Sequence, residues 1–419
     1  MADALAGGKV RQFYRELQKR PEDRLSPSGD LQKLLAHAAA TTGFYKAYQG
    51  CTDIRSYPIV TKSILRENYD RFVSSSFREK SLHVMRTSGT GGERFAVLQN
   101  REKRKRVLAE LIYYNEQCGF FLGDRYIYSR VWFPDNQKSR LVRLAENMLP
   151  LDCSLFSDQS LQSLALLLQK DSSIRILKSY ASSLGAVADY FEKMGFSSDL
   201  FNLKVIISGA ERLDPPVKGR LKKIFGCLVV SRYSNQENGI LAQQSKQGDE
   251  FYLNTAHYFF ECLHPDQDKP APAGQPARLI VTDLHNRAMP FIRYDTGDVV
   301  IAGESMAGGE TLPVLTDISG RQSEIIQDTR GNRISPHYVA LGFRQFERIR
   351  QYQLIQESRT EFTLKVENRD SVPGDEDLRT FLRHLLGEDA SIDIVHMEQI
   401  PRAASGKLKK MICNLEIPG

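Results

Sequence analysis

The sequence predicts an α/β protein: a large N-terminal domain with mostly parallel sheets flanked by helices, then a small α+β C-terminal domain. Three observations carry this. From about residue 125, short apolar runs recur at Tyr126 to Phe133, Ile174 to Leu177, Val205 to Ile207, Leu228 to Val230 and Arg278 to Thr282. Helical stretches, Leu161 to Leu168, Ser183 to Met194 and Pro215 to Phe225, lie between several of them. Continuous apolar strands separated by helices mean a sheet buried on both faces, which is the setting of a parallel sheet. After Gly320-Arg321 the character changes: Phe362, Leu364 and Val366 alternate as a strand, Asp375 to Leu386 is an amphipathic helix, and Ile392 to Val395 is another strand. The expected domains are therefore residues 1–319 and 320–419.

Taken in order, residues 1–80 read as polar and helical, with Leu34-Leu35 and Ala36 to Ala40 in one helix. Pro58-Ile59-Val60-Thr61-Lys62 is a turn and N-cap before another helix. Thr87-Ser88-Gly89-Thr90-Gly91-Gly92 then packs three glycines and three hydroxyls into six residues, and Phe95-Ala96-Val97-Leu98 follows as a strand. Glycine allows positive φ and close backbone approach, so successive N–H groups can converge on an anion, and the hydroxyls add donors. A glycine-rich hairpin turn is the competing reading. Asn100 to Cys118 is a helix that opens with Arg101, Lys103, Arg104, Lys105 and Arg106, read as a solvated face. Pro215 to Phe225 has two prolines at its start and Gly226 just past its end, the expected asymmetry of a helix. Leu263 to Pro276 and Ala302 to Glu310 read as exposed loops.

The 419 residues are 41% hydrophobic and 26% charged, enough for two or three buried cores. A net charge of +6 suits anionic small ligands and is too weak to argue for nucleic acid. Six scattered cysteines without a Cys-x-x-Cys pair, and eight histidines, give neither a metal-ligand spacing nor a disulfide framework. Cys118, Cys153, Cys227 and Cys262 are read as small buried hydrophobes. Met1-Ala2-Asp3-Ala4 starts no signal-peptide core and no run approaches a membrane span, so the expected compartment is the cytoplasm, with no membrane partner.

Several segments together resemble the acyl-adenylate-forming (AMP-binding) enzymes. The loop at residues 87–92 looks like their Thr-Ser-Gly-Thr-Thr-Gly, and Tyr233-Ser234-Asn235-Gln236-Glu237 is similar to their Tyr-Gly-x-Thr-Glu. Arg293-Tyr294-Asp295-Thr296-Gly297-Asp298 is similar to Tyr-Arg-Thr-Gly-Asp, with Arg293 the candidate cation in place of the family's arginine. Gly320-Arg321 resembles the hinge, and Pro401-Arg402-Ala403-Ala404-Ser405-Gly406-Lys407 the C-terminal Pro-Arg-x-x-x-Gly-Lys. Within the superfamily the phenylacetate–CoA ligase branch is the nearest likeness. Lys178-Ser179-Tyr180-Ala181 resembles its Pro-Ser-Tyr segment, and Arg330-Gly331-Asn332-Arg333-Ile334-Ser335-Pro336 its Arg-Gly-x-Asn-x-x-Pro.

The resemblance implies ATP-dependent activation of a carboxylic acid to acyl-AMP, then acyl transfer to a thiol such as CoA. Two anions must meet, so fixed dipoles, cations and a metal are needed around the phosphates. Thr87, Ser88, Gly89, Thr90, Gly91 and Gly92 would hold phosphates, and Glu237 would ligate Mg²⁺. Asp298 would bind the ribose. Ser208, Gly209, Ala210 and Glu211 would flank the adenine, with Tyr233 and Arg321 also on the nucleotide. Tyr180, Ser234 and Asn235 would line the acid pocket, and Lys407 would bridge carboxylate and α-phosphate. In that family the small domain pivots at the Gly-Arg hinge. An aromatic or other compact acid is the expected substrate. Transfer to a carrier protein or an amine, and a non-catalytic ligand-binding member, remain alternatives; a homodimer is an open question.

Overall fold

A computed structural model describes residues 8–19, 28–77, 82–87, 95–130, 132, 137–153, 158–307, 310–321, 326–331, 333–334, 339, 343, 345–346, 349–368, 374–401 and 408–415. The contacts of the chain fall into two compact units, residues 1–296 with 300–317, and residues 297–299 with 318–419.

The first unit opens with helices α1 (Lys9–Gln18), α2 (Ser28–Thr41), α3 (Lys62–Glu67) and α4 (Tyr69–Phe72). The Thr61 hydroxyl accepts from the Ile64 N–H and caps α3, as expected from its sequence. Strands β1 (His83–Thr87) and β2 (Phe95–Gln99) pair antiparallel, with Thr87 opposite Phe95. Helix α5 (Arg101–Gln117) leads into an alternating run: β3 (Arg125–Arg130), α6 (Arg140–Ala145), β4 (Met148–Asp152), α7 (Asp158–Lys170), β5 (Ile174–Tyr180), α8 (Ala181–Lys193), β6 (Val205–Gly209), α9 (Pro215–Phe225) and β7 (Leu228–Asn235). Helix α9 keeps its sequence-predicted bounds, and Gly226 ends it in the left-handed region at φ 60°.

Six further strands follow: β8 (Gly239–Gln244), β9 (Phe251–Leu253), β10 (Tyr258–Leu263), β11 (Pro276–Asp283), β12 (Tyr294–Ala307) and β13 (Glu310–Arg321). Among the described residues β3 to β13 form one eleven-stranded sheet in the order β10-β11-β12-β13-β9-β8-β7-β6-β5-β3-β4. Strands β3 to β7 pair in parallel, whereas β7 with β8, β8 with β9, β9 with β13 and β10 with β11 are antiparallel. The sheet is thus mixed, and β7 is its turning point. The expected loop at 302–310 is corrected: up to Ala307 it is the end of β12, paired with β13, and a Cβ on Gly303 would meet the Thr316 side chain at 2.7 Å. That close approach is why a glycine-containing stretch reads as a loop yet forms strand.

Helices α7, α8 and α9 cover one face of the parallel half over Ile127, Leu177, Ile206 and Val229. The other face is closed by Cys118, Phe120, Tyr126, Ile176, Ile207 and Val230. A separate core joins the N-terminal helices to a distant segment: Leu34, Tyr45, Tyr57, Val60 and Phe72 pack on Leu284, Met289, Phe291, Ile292 and Tyr294.

The second unit holds β14 (Ile326–Gln327), β15 (Arg333–Ile334), β16 (Ile349–Gln356), β17 (Glu361–Asn368), α10 (Asp375–Leu386), β18 (Ser391–Met397) and β19 (Met411–Cys413). Its four-stranded sheet runs β18-β17-β16-β19, with β17 and β18 parallel around α10. Leu378, Leu382 and Leu386, at helical spacing, pack on Leu354, Phe362 and Leu364. Among the described residues no helix is long and apolar enough to cross a membrane.

Candidate active site

Glu237 lies in the turn between β7 and β8, where the sheet changes from parallel to antiparallel. Its side chain is only 5% exposed. Lys62, the first residue of α3, places its ammonium 2.8 Å from Glu237 Oε1, and the phenol of Tyr294 donates to the same oxygen at 3.1 Å. Gln99 at the end of β2 donates to the Glu237 carbonyl at 2.9 Å, tying β2 to this turn. Burial alone would raise the carboxyl pKa. The Lys62 charge and hydrogen bond, the residue's own N–H and the Tyr294 phenol outweigh it and hold Glu237 below its usual value. The site therefore presents an ionised carboxylate, a half-buried lysine and a buried phenol together. Lys62 and Tyr294 carried no role in the sequence reading. Thr61-Lys62 shows only a helix start, and nothing local points to a partner in β7.

The turn rests on a buried polar network. Gly239, at φ 129°, has no room for a side chain: a Cβ would lie 2.6 Å from Glu110 Oε2 and 2.9 Å from the Tyr258 hydroxyl. Glu110 accepts from the Ile240 N–H at 3.1 Å and faces His257 Nδ1 at 2.7 Å. Arg106 lies 3.3 Å from His257 Nε2, so the neutral tautomer that donates from Nδ1 to Glu110 satisfies both contacts. Lys103 Nζ reaches Asp283 at 2.7 Å and the Tyr258 hydroxyl at 2.8 Å, and it sits 4.5 Å from the Tyr258 ring centre. The basic run at 101–106 is thus corrected: Arg101 is exposed, but Lys103 and Arg106 are buried and turn the charged face of α5 inward. Lys103 pairs with Asp283, and Arg106 pairs with Glu16 of α1 at 2.6 Å and with Glu102 one turn back, besides its contact with His257.

The remaining sequence-predicted residues fall as follows. Ser88, Gly89, Thr90, Gly91, Gly92 and Lys407 lie outside the described residues. Thr87 closes β1 and Arg321 closes β13. Tyr233 and Asn235 are half-buried on β7, and Ser234 between them is exposed. Ser208 and Gly209 end β6, and the Ser208 hydroxyl is buried without a partner among the described residues. Ala210 takes φ 68°, a strained value for a residue with a Cβ, at the mouth of a parallel strand where open α/β sheets bind ligands. Glu211 accepts from the Ser182 N–H at 2.8 Å and so caps α8, with Tyr180 at the N-cap position. Asp298 is half-buried on β12, just past Gly297 at φ 72°. Arg293 is not a free cation: it pairs with Glu261 at 3.0 and 3.1 Å and donates to the Tyr57 carbonyl at 3.0 Å. Asp295 is held by Arg278 at 3.1 Å. Burial raises the thiol pKa of Cys118, and that of Cys227 to about 12 and Cys262 to about 11, which leaves these thiols unreactive at neutral pH.

Residues 326–414 match the family described as the CapK C-terminal domain. The phenylacetate-coenzyme A ligase of Thermus thermophilus is 24% identical over 353 residues, covering 78% of this chain and 77% of that protein. Protein CapK of Staphylococcus aureus is 26% identical over 255 residues, covering 59% and 54%. A 2-hydroxyisobutyryl-CoA ligase crystallised in the postadenylation state with an acyl-AMP superposes with a TM-score of 0.75 at 19% identity, covering 96% of this chain and 92% of that one.

Proposed function

We propose that the chain is an acyl-adenylate-forming enzyme of the phenylacetate–CoA ligase-like branch and that it activates a carboxylic acid with ATP. A carboxylate oxygen attacks the α-phosphorus and pyrophosphate leaves. A thiol, most simply that of CoA, then attacks the acyl carbonyl and AMP leaves. The observation that carries this reading is Glu237, a buried, ionised carboxylate paired with Lys62 and Tyr294 at the turning point of the sheet.

Such a carboxylate fits a hard cation. No group of three metal-ligating side chains occurs among the described residues, so Mg²⁺ would be held by Glu237 together with phosphate oxygens and water. When bound, the ion neutralises phosphate charge. Around it, the 87–92 loop would hold the phosphates through backbone N–H groups, Asp298 would accept from the ribose hydroxyls, and Ser208 to Glu211 with Tyr233 would border the adenine. Tyr180, Ser234 and Asn235 would flank the acid. Lys407 would bring a cation between the two reacting anions, and Arg321 would stand at the hinge.

The test is exchange of labelled pyrophosphate into ATP across a panel of carboxylic acids, with and without CoA. Exchange should depend on acid and on Mg²⁺, and Glu237→Gln should slow it by roughly 10²-fold. Wild-type exchange by Glu237→Gln at limiting Mg²⁺ would remove the metal role, and acid-independent exchange would remove the activity.

A further inference from the structure

In the order β4-β3-β5-β6-β7 the chain leaves β3 for β4 on one side and returns to β5 on the other, so β3 and β5 flank the topological switch point. Ligands of open α/β sheets bind outside the carboxyl ends of such strands. Here that end carries a stack of aromatic and cationic side chains. Tyr128 and Lys178 are register neighbours, and Lys178 Nζ lies 4.9 Å from the Tyr128 ring centre. The Arg130 guanidinium lies 5.6 Å from the Tyr128 ring centre and 5.4 Å from that of Trp132. Tyr128 and Trp132 meet edge to face at 5.6 Å. All four side chains are half-buried, so each keeps an open side.

The stack sets two cations side by side over aromatic rings without a paired carboxylate. Several other cations of this unit are matched by carboxylates, Lys103 by Asp283, Lys138 by Glu146, Arg220 by Asp189 and Arg293 by Glu261, and buried Arg232 is held by the side-chain oxygens of Gln243 and Asn115. Among the described residues the side chains of Lys178 and Arg130 have no ion pair or hydrogen bond, and Arg130 Nε is buried and unpartnered. Packed about by protein, and repelled by Arg232 and Lys138, Lys178 has its pKa pushed down to about 7, with Cys118 and Glu146 opposing the shift. A cation in this position is stabilised by whatever anion arrives.

We propose that Lys178 and Arg130, over Tyr128 and Trp132, bind an anionic group on the acid that is activated, so that the substrate is a compact dianion such as a dicarboxylic acid. The proposal rests on the acid-activating reading above. Glu237 follows β7, two strands from β5, roughly 10 Å away across the sheet before any offset along the strands. On this proposal the carboxylate held at the stack is a second one, distinct from the carboxylate presented to ATP.

The experiment compares acids that share a skeleton and differ by one carboxylate: 4-methylphenylacetate with 1,4-phenylenediacetate, and propionate with succinate. Wild-type pyrophosphate exchange should favour the dianion of at least one pair by about tenfold or more in kcat/KM. Lys178→Met and Arg130→Met should each remove most of that advantage, a charge-assisted hydrogen bond being worth roughly 10- to 100-fold, with the loss in KM. Lys178→Arg should retain it. In the wild type the KM of the dianion should climb as pH rises above about 7, where free Lys178 loses its proton, and the Lys178→Arg profile should stay flat there. Preference for the monoanions, or a dianion preference untouched in both Met variants, overturns the proposal. If no acid supports exchange, the activity reading fails instead. Calorimetric binding of 1,4-phenylenediacetate to wild type and Lys178→Met then decides the subsite on its own: tighter binding to wild type supports it, and equal binding or none refutes it.

Discussion

Replacing Lys103 by Met tests whether α5 is held to the sheet by buried charge. The lysine side chain is 0% exposed and its Asp283 partner 1%. Burial raises the pKa of both Asp283 and Glu110, and the Lys103 charge is the main influence opposing that in each. Methionine fills a similar volume but removes the cation, leaving carboxylates in a dry interior. Breaking a buried pair from one side costs about 3–5 kcal/mol. At about 2 °C per kcal/mol for a unit of this size, the melting temperature should fall by roughly 6–10 °C. The sign of the pH dependence follows. With folded-state pKa values raised above those of the unfolded chain, the folded variant binds protons more tightly, so its deficit at neutral pH should shrink on acidification. Urea titration of the full chain near neutral and at mildly acidic pH reads both effects. Lys103→Met with Asp283→Asn should be more stable than Lys103→Met alone, because the asparagine still accepts from the His285 and Asn286 N–H groups that Asp283 now serves. A loss below about 1 kcal/mol, or one that grows in acid, would refute the reasoning.

Gly239→Ala should cost about 1–3 kcal/mol by unfolding titration, since the backbone is left-handed and the methyl would press on Glu110 and Tyr258. It should also weaken the Mg²⁺ dependence of exchange through the adjacent Glu237. Because the folded pKa of Glu237 is held below its usual 4.5, its contribution to stability is present above that pH and lost as pH falls through the lower folded value. Glu237→Gln should flatten the acid limb of the stability profile in that window, and an unchanged limb would contradict the Lys62 pairing. Lys407→Ala should lose acid-dependent exchange yet still convert supplied acyl-AMP and acceptor to product. Equal loss of both half-reactions would end the two-orientation account of the small domain.

Local signals served the sequence reading well. Two prolines and a terminal glycine bound α9, and three leucines at helical spacing mark α10. Each of the five apolar runs of 126–282 contains a strand, the first as far as Arg130, because a strand buried on both faces needs no partner to be recognised. Long-range electrostatics were invisible. A basic run is ambiguous until the acids facing it are known: Asp283 arrives long after Lys103, and Glu16, which pairs with Arg106, comes from the first helix. Glu237 stands out through its motif, but Lys62, which keeps it ionised, sits in an ordinary helix start. Arg293 read as a cation for the site because its pairing with Glu261 depends on how β10 and β12 fold together.

The core that joins the N-terminal helices to residues 284–294 bears on how the chain is made. On a ribosome, Leu34, Tyr45, Tyr57 and Phe72 emerge early, while Leu284, Met289, Phe291 and Tyr294 do not yet exist. About 210 residues separate Phe72 from Leu284, so at roughly 5–20 residues per second the early half waits about 10–40 s for its counterpart. During that time its apolar face is exposed beside the nascent parallel strands. Trigger-type chaperones that cradle apolar nascent segments should therefore engage the first 75 residues, and release should coincide with emergence of the segment around Tyr294.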